Sequence, residues 1–585
     1  MPSTRSHLAE LIWHLAPLVV IVPTAILAVW GSALLGPSFD EPADITAGYV
    51  FWRSGEELEA PGRPLLGLML ESLGLWVTWG ENVDDWPGLP ERDLDRLTAH
   101  VLSGIVPVHR MLWWARVPGM LAMALTALLV HRGALALWGH RSTALLATTL
   151  FCLLPSTLAH ATRADGAMLS AMWVCAATVA GWRWLCRESS GWPALVYLIG
   201  GLLTDWALWL LIPFALGVVA VRAADTLAGR LEPAQDPTPD PRASRGDGWG
   251  GGLARVLHES RVSMARLLVG ALVFWLVIVE LTGNWRVWWD LWQSAVVHWT
   301  RWRSEALPLF FAGQFYAHVP LAYHPALILL KTPLWLFLLW ALAIGWSGAL
   351  RPPARWHALL YLHAGVLWMI AVGSPLLPAR GYAVWVPLTP ILCMVAAGAL
   401  PTGPEALRLS RRALTVRWLA IALALGVGTW TILESAPHWH AQWNTVAWLD
   451  GGGRVWFAAP ENDAGPAMPA VAEHLQLSGE GDELIFVAHC GRWSPTNLGL
   501  KCLFLPSHGL LLEQMHRFKI TEPPPGIYVI AASLLMGQDC LYPGTYRWFR
   551  ERPADLWIGG TVGLWTVEEP ASGETDGAVG SEVSD

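Results

Sequence analysis

LIWHLAPLVVIVPTAILAVWGSALLGPSFDE, residues 11–41, opens with 25 positions that carry no Asp, Glu, Lys or Arg and closes on the acid pair Asp40 and Glu41. As a helix rising about 1.5 Å per residue, the run 11–35 is long enough to cross the roughly 30 Å hydrocarbon core of a bilayer. It is longer than the apolar core of a secretory signal, and no small-x-small cleavage pattern follows it, so it reads as a retained anchor. Carboxylates at the edge of a membrane are costly to hold partly out of water, which makes Asp40 and Glu41 candidates for function. The competing reading is a solvated acid pair at the start of a helix.

The rest of the chain repeats this pattern. Of 585 residues, 54% are hydrophobic and 14% charged, with a mean hydropathy of +0.40; a soluble domain carries about one quarter charged residues. Further apolar runs occur near 113–131, 142–162, 167–185, 267–283, 325–346, 356–373, 382–400 and 417–434. A longer run, 192–222, is interrupted by Gly200, Gly201 and Asp205 and reads as two short helices. The expected fold class is therefore an α-helical multi-pass membrane protein with about 11 spans. The 39 tryptophans fall mostly near the ends of these runs, as an aromatic belt requires. A net charge of −8 and a pI near 6.2 leave no basic face for nucleic acid.

Arginine sets the orientation. Arg132 with Arg141, Arg183 with Arg187, Arg351 with Arg355, and Arg408, Arg411, Arg412 and Arg417 lie in alternate short connections, which places those connections in the cytoplasm. The N-terminus is then cytoplasmic, and an odd number of spans puts residues 435–585 outside. The outer segments include 36–112, where acids outnumber arginines by more than two to one, 284–324, and the turn 374–381. PLLGLMLESLGLWVTW, 64–79, is too short to cross and reads as a helix lying in the interface.

The chain divides into a membrane half, 1–222, that includes the outer loop 36–112; a Pro-, Gly- and Asp-rich cytoplasmic linker, 223–265, with too little apolar surface to fold alone; and a second membrane half, 266–434. Short β-prone runs, ELIFVAH, GIYVIAA and GTVGLWTVEE, then predict a small extracytoplasmic α/β domain over 435–570, ahead of an acidic tail, 571–585. Cys152, Cys175, Cys186 and Cys393 lie in or beside apolar runs. Cys490, Cys502 and Cys540 lie in the outer domain, where a Cys490–Cys502 disulfide is allowed and the pairing is left open by sequence.

FDEPADITAGYVFWRSGE, APGRPLLGLML and PSTLAHATRADGAMLSAMW, together with LLKTPLWLFLL and ARGYAVWVPLTP downstream, resemble the bacterial protein O-mannosyltransferase-like glycosyltransferases of the GT-C superfamily. The resemblance covers nearly the whole chain outside 223–265. It implies a many-span inner-membrane enzyme that moves a sugar from a polyprenyl-phosphate carrier to an acceptor hydroxyl of a protein, lipid or glycan at the outer face. The chain departs from the family in three places: Asp44 stands where a histidine usually follows Asp-Glu-Pro, Gly62-Arg63-Pro64-Leu65 stands for His-Pro-Pro-Leu, and Asp205 in GLLTDW stands where the sixth-span region often carries a basic residue.

Such a transfer needs a base for the acceptor hydroxyl and cations for the departing phosphate. On this resemblance Asp40 is the candidate base, with Glu41 orienting it or the acceptor. Adjacent carboxylates also raise one another's pKa. Asp165, across the site, competes between this role and a helix N-cap. Arg63, Arg163, Lys331, Arg380 and Tyr382 are assigned to the lipid phosphate and donor, with snorkelling to headgroups as the alternative for the cations. Cofactors and metal ligands are not demanded by any motif; a divalent ion is allowed, but Asp93-x-Asp95 lies among arginines and reads as a solvated helix surface. His318 and His324, with Tyr316 and Tyr323, form a further outer patch suited to a sugar. The alternatives are a non-catalytic protein on the same scaffold that binds a lipid-linked sugar or partner protein, and a lipid-linked sugar flippase, toward which only Asp205 points.

Overall fold

The computed structural model describes residues 10–58 except 11 and 14, then 64–80, 83, 86, 93–102, 107–185, 192–205, 309–316, 318–345, 365–370, 381–400, 410–448, 465–489, 493–506, 523–537 and 544–568, with single positions between them. Its first part is helical. The elements are α1 (Leu18–Leu34), α2 (Glu41–Ser54), α3 (Leu65–Thr78), α4 (Leu94–His100), α5 (Val108–Trp138), α6 (Arg141–Cys152), α7 (Pro155–Ala161), α8 (Ala167–Leu185) and α9 (Trp192–Thr204). A two-stranded ribbon, β1 (Leu309–Phe311) and β2 (Gln314–Tyr316), precedes α10 (Tyr323–Lys331), α11 (Leu334–Gly345), a 3₁₀ helix Gly381–Leu388 running into α12 (Thr389–Ala396), and α13 (Arg411–Glu434).

The 31-residue α5 is the central post and packs against α1, α3, α6, α7, α8 and α12. Val108–Trp138, Gly381–Ala399 and Arg411–Glu434 are each long and apolar enough to cross a bilayer. Two more segments qualify as bent pairs: α6 with α7, bent by 62°, and α10 with Leu334–Ile344, bent by 96°. Among the described residues this makes three such helices, or five with the bent pairs, against the eleven spans expected; the run 267–283 and most of 356–373 lie outside the described residues. Both bends fall where a proline, Pro155 or Pro333, withholds a backbone donor and keeps the preceding residue extended.

Along α13, Val416, Leu419, Leu423, Val427 and Trp430 recur every three or four residues and are all exposed; Val19, Val22, Ile26 and Trp30 do the same on α1. Apolar stripes of this length facing outward are stable against lipid, not water, and identify an integral membrane protein.

The C-terminal part is built on a five-stranded sheet of order β4-β3-β5-β7-β6, with β3 (Leu484–Ala488), β4 (Lys501–Phe504), β5 (Gly526–Ala531), β6 (Leu556–Ile558) and β7 (Val562–Val567). β3 is parallel to both β4 and β5, while β7 is antiparallel to β5 and β6. Val471 and Leu475 of α14 (Met468–Leu477) share a core cluster with Ile485, Val487 and Val529, while Phe549 packs on Tyr528 and Trp565, which point to the other face. The β6–β7 turn needs left-handed residues at two successive positions, supplied by Gly559 (φ 58°) and Gly560 (φ 71°). That turn is also the point at which the sheet domain meets the helices.

Candidate functional site

α2 begins at Glu41, with Pro42 preset for the first turn, acidic Glu41 and Asp44 at the positive end of the helix dipole, and Gly55 closing it in the left-handed conformation (φ 70°). Asp40, the residue before the helix, is exposed and its side chain makes no capping bond. Glu41 is fully enclosed. Arg116 of α5 meets it with two parallel bonds, Nε to Oε1 at 2.8 Å and Nη2 to Oε2 at 2.9 Å. The backbone N–H groups of Ala164 and Ser38 donate to the same carboxylate at 2.8 and 2.9 Å.

The remaining Arg116 donors go to the carbonyls of Ser32, Leu35 and Gly36, so all five N–H groups of the guanidinium are used. Gly36 permits this approach: a Cβ there would overlap the Gly465 carbonyl. The adjacent acids were expected to raise one another's pKa. At Glu41 the outcome is reversed, because although burial pushes it up, the Arg116 charge and the four hydrogen bonds outweigh burial and hold the carboxyl below the usual range.

The clamp has a geometric consequence. Ala164 lies between Arg163 and Asp165, so one carboxylate ties the turn after α7 to the residue following Asp40. Gly119 of α5 supports that turn, since a Cβ at this position would lie 3.3 Å from the Ala161 carbonyl and 3.4 Å from that of Arg163. Asp165 does two things. Its Oδ1 accepts from the Ala167 N–H at 3.0 Å, the N-cap role, and its Oδ2 meets His160 Nδ1 at 2.5 Å.

Lys331, at the 96° bend, donates from Nζ to the carbonyls of His440 (2.6 Å) and Gln442 (3.1 Å) and sits 4.2 Å over the Trp443 ring. The turn carrying His440 is held by Trp439, which is buried, donates to the Ile432 carbonyl at 2.9 Å and packs on Gly31 of α1 so closely that a Cβ there would overlap the ring. On its other side, His438 lies against Gly559, where an added Cβ would come within 3.0 Å of the imidazole. α7 packs directly on this turn.

The arrangement brings Arg163, Lys331, His160 and His438 within electrostatic range of His440. Burial pushes the His440 pKa well below the usual imidazole range, and Arg163, His438, Lys331 and His160 act in the same direction. Burial likewise lowers His438 to about 4. Both imidazoles are therefore neutral at physiological pH. Arg163 is 6% exposed, yet its Nε and Nη2 have no hydrogen-bond partner among the described residues; the same holds for both ring nitrogens of His440, which is 4% exposed, and for Nδ1 of His438.

Other expected residues fall elsewhere. Arg63 and Arg380 lie outside the described residues. Tyr382 is buried and bonds Thr332, the neighbour of Lys331, at 2.8 Å. His324 is not a surface group: with no exposure, its Nδ1 accepts from Trp385 Nε1 at 3.0 Å. Asp205 accepts from Ser170 Oγ at 3.1 Å. Asp93 caps α4 by accepting from the Arg96 N–H at 3.1 Å and pairs with the Arg96 side chain. Cys502 is a free thiol, and Cys490 lies outside the described residues. Among the described residues no group of three His, Cys, Asp or Glu side chains is placed to hold a metal ion.

Sequence reasoning missed Arg116, His160 and His440. A charge inside the apolar run 113–131 was the available signal for Arg116; for the histidines, the HWH spacing at 438–440 was the only mark.

The sequence matches no family model and no curated protein. Among solved structures, the crystal structures of ArnT from Cupriavidus metallidurans in the apo state and bound to undecaprenyl phosphate match at 14% and 13% identity, with TM-scores of 0.42 and 0.43. Each match covers 94% of this chain and 97% of that chain. Function therefore rests on the side chains.

Proposed function

We propose that this chain is a GT-C-type glycosyltransferase of a bacterial inner membrane that transfers a sugar from a polyprenyl-phosphate carrier to an acceptor hydroxyl at the outer face. The observation that carries the reading is Arg163, a buried guanidinium whose Nε and Nη2 are unmatched among the described residues and which, like the Lys331 ammonium, acts on His440. Burying a charge without partners costs several kcal/mol, and an anion that accepts two parallel bonds relieves that cost. A phosphate has that geometry, and the arginine fork suits it better than a lysine would alone.

Asp40 supplies the base. It is exposed, spare of structural duty, and joined through Glu41 and Ala164 to the residue beside Arg163. The acceptor hydroxyl gives its proton to Asp40 and its oxygen bonds the sugar C1. The C1–O bond to phosphate breaks, and the electron pair leaves with the phosphate, held by Arg163 and Lys331. Glu41 acts by position, since its lone pairs are already engaged. Arg63, Arg380 and Tyr382 stay with the donor in this reading, as does Asp165, which braces His160. The sheet domain then lies on the outer side with residues 435–570, and the N-terminus lies in the cytoplasm.

The test is turnover of decaprenyl-phosphate-linked sugars by purified protein in nanodiscs. Asp40→Asn is expected to reduce turnover by about 10²- to 10⁴-fold with donor binding retained, and Arg163→Met or Lys331→Met to weaken binding. Undiminished turnover by Asp40→Asn would remove it as the base; binding without turnover in the wild type would make the chain a non-catalytic receptor.

A further inference from the structure

The unmet hydrogen-bonding groups of this site describe more than a phosphate. Arg163 offers two donor nitrogens, Nε and Nη2, whose N–H groups can be met only by acceptor lone pairs. A neutral imidazole offers one donor and one acceptor. His440 is buried, both of its ring nitrogens lack a partner, and its backbone carbonyl is fixed by the Lys331 ammonium at 2.6 Å, so the ring does not swing freely out of the cluster. Trp439, wedged against Gly31, fixes the same turn from the other side. A bare phosphodiester satisfies the two Arg163 donors and the single imidazole donor but leaves the imidazole acceptor unmet.

We propose that His440 reads the sugar: one ring nitrogen donates to a phosphate oxygen and the other accepts from a hydroxyl on the glycosyl group next to the phosphoester. The ligand class is thus a glycosyl phosphodiester with a free hydroxyl close to the anomeric phosphate, in preference to any lipid phosphodiester without one. His438, whose Nδ1 is also unmatched and whose ring lies 6.0 Å from that of His440, extends the same polar lining. This inference rests on the phosphate reading above and adds a specificity residue to it. A buried group left unpaired discriminates strongly against the ligand that lacks the matching hydroxyl.

Binding is measured with protein in phosphatidylcholine nanodiscs, using decaprenyl methyl phosphate and decaprenyl phosphoryl-mannose, -glucose and -galactose as probes. In the wild type at least one hexosyl ester is expected to bind about tenfold more tightly than the methyl ester, the difference one buried neutral hydrogen bond makes. His440→Phe weakens all four probes, because the bond to the phosphate oxygen is lost, and abolishes the preference for the hexosyl esters over the methyl ester; His440→Asn, which keeps a donor and an acceptor, restores part of both. Arg163→Met weakens all four probes together.

A preference that survives in His440→Phe, or a wild type that binds the methyl ester and prefers none of the hexosyl esters, overturns the inference and leaves the phosphate site standing. A wild type that binds none of the four, or one from which phosphatidylglycerol displaces the probes at equal concentration, overturns the polyprenyl-phosphate reading itself.

Discussion

Replacing Glu41 by Gln tests the clamp with the smallest change of shape. The side chain keeps one oxygen, enough to accept from Ala164 and Arg116 Nε, but puts an NH₂ where Ser38 N–H and Arg116 Nη2 both donate. It also leaves the Arg116 guanidinium, which has no solvent exposure, without a counter-charge. Breaking a buried, fully hydrogen-bonded pair in this way costs about 3–5 kcal/mol. At roughly 2 °C per kcal/mol for a large chain, the thermal midpoint should fall by about 6–10 °C. Tryptophan fluorescence melts in detergent at a fixed scan rate measure it. Arg116→Met should do comparable damage, and the double variant Glu41→Leu/Arg116→Met should recover much of the loss, because an apolar pair of similar volume carries no desolvation cost. Transfer should stay lost in the double variant, since nothing then holds the Ala164 N–H beside Asp40. A Glu41→Gln midpoint within about 1 °C of wild type, or a double variant whose loss equals the sum of the single losses, would refute the clamp.

Further outcomes follow from the same geometry. The folded-state pKa of Glu41 is depressed, so its stabilisation is fully present above the unfolded carboxylate value of about 4.3 and disappears as pH falls through the lower folded value; the wild-type midpoint should drop below about pH 4 by more than that of Glu41→Gln, and parallel curves would contradict it. Asp40→Asn should leave the midpoint within about 1 °C, because the carboxylate is exposed and caps nothing. Gly31→Ala should displace Trp439 and with it His440, raising donor KM with smaller effect on kcat; unchanged KM would show that the turn is positioned otherwise. Gly559→Val, at φ 58° and against His438, should cost about 1–3 kcal/mol in the sheet domain and weaken donor binding in parallel, as measured by melts and by methyl ester titration.

The parts of the fold that were legible in sequence are those governed by local composition. Apolar runs announce spans because bilayer thickness is a length, and short runs of β-branched and aromatic residues between turn residues announce the sheet because such side chains fit a pleated surface. The bends were not read, although Pro155 and Pro333 stand at them, because a proline in an apolar run does not say whether the helix kinks or stops. Nor was the clamp read. Glu41 meets residues 75 and 123 positions away in the chain, and only the fold decides which of the many arginines meets which acid. Arg163 and Lys331 were picked out as cations at the ends of runs; that both act on His440 depends on where the 438–441 turn is held, with Trp439 lying against Gly31, a packing fact without a sequence signature.

The acid pair at 40–41 divides into a structural and a chemical member because a helix turns 100° between adjacent residues. Glu41, in the first turn of α2, points inward to Arg116 and is consumed by four donors; Asp40, one residue earlier, remains in solvent. Two neighbouring carboxylates competing for one proton would titrate as a coupled pair. Here Glu41 is held in its charged form by Arg116 and its hydrogen bonds, and Asp40 is the member of the pair left exposed. The cations follow the same rule: Arg116 is satisfied five times over and belongs to the fold, whereas Arg163, also buried, keeps Nε and Nη2 unmatched among the described residues. In a protein interior, unmet valence at a buried charge separates the group that binds a ligand from the group that holds the chain.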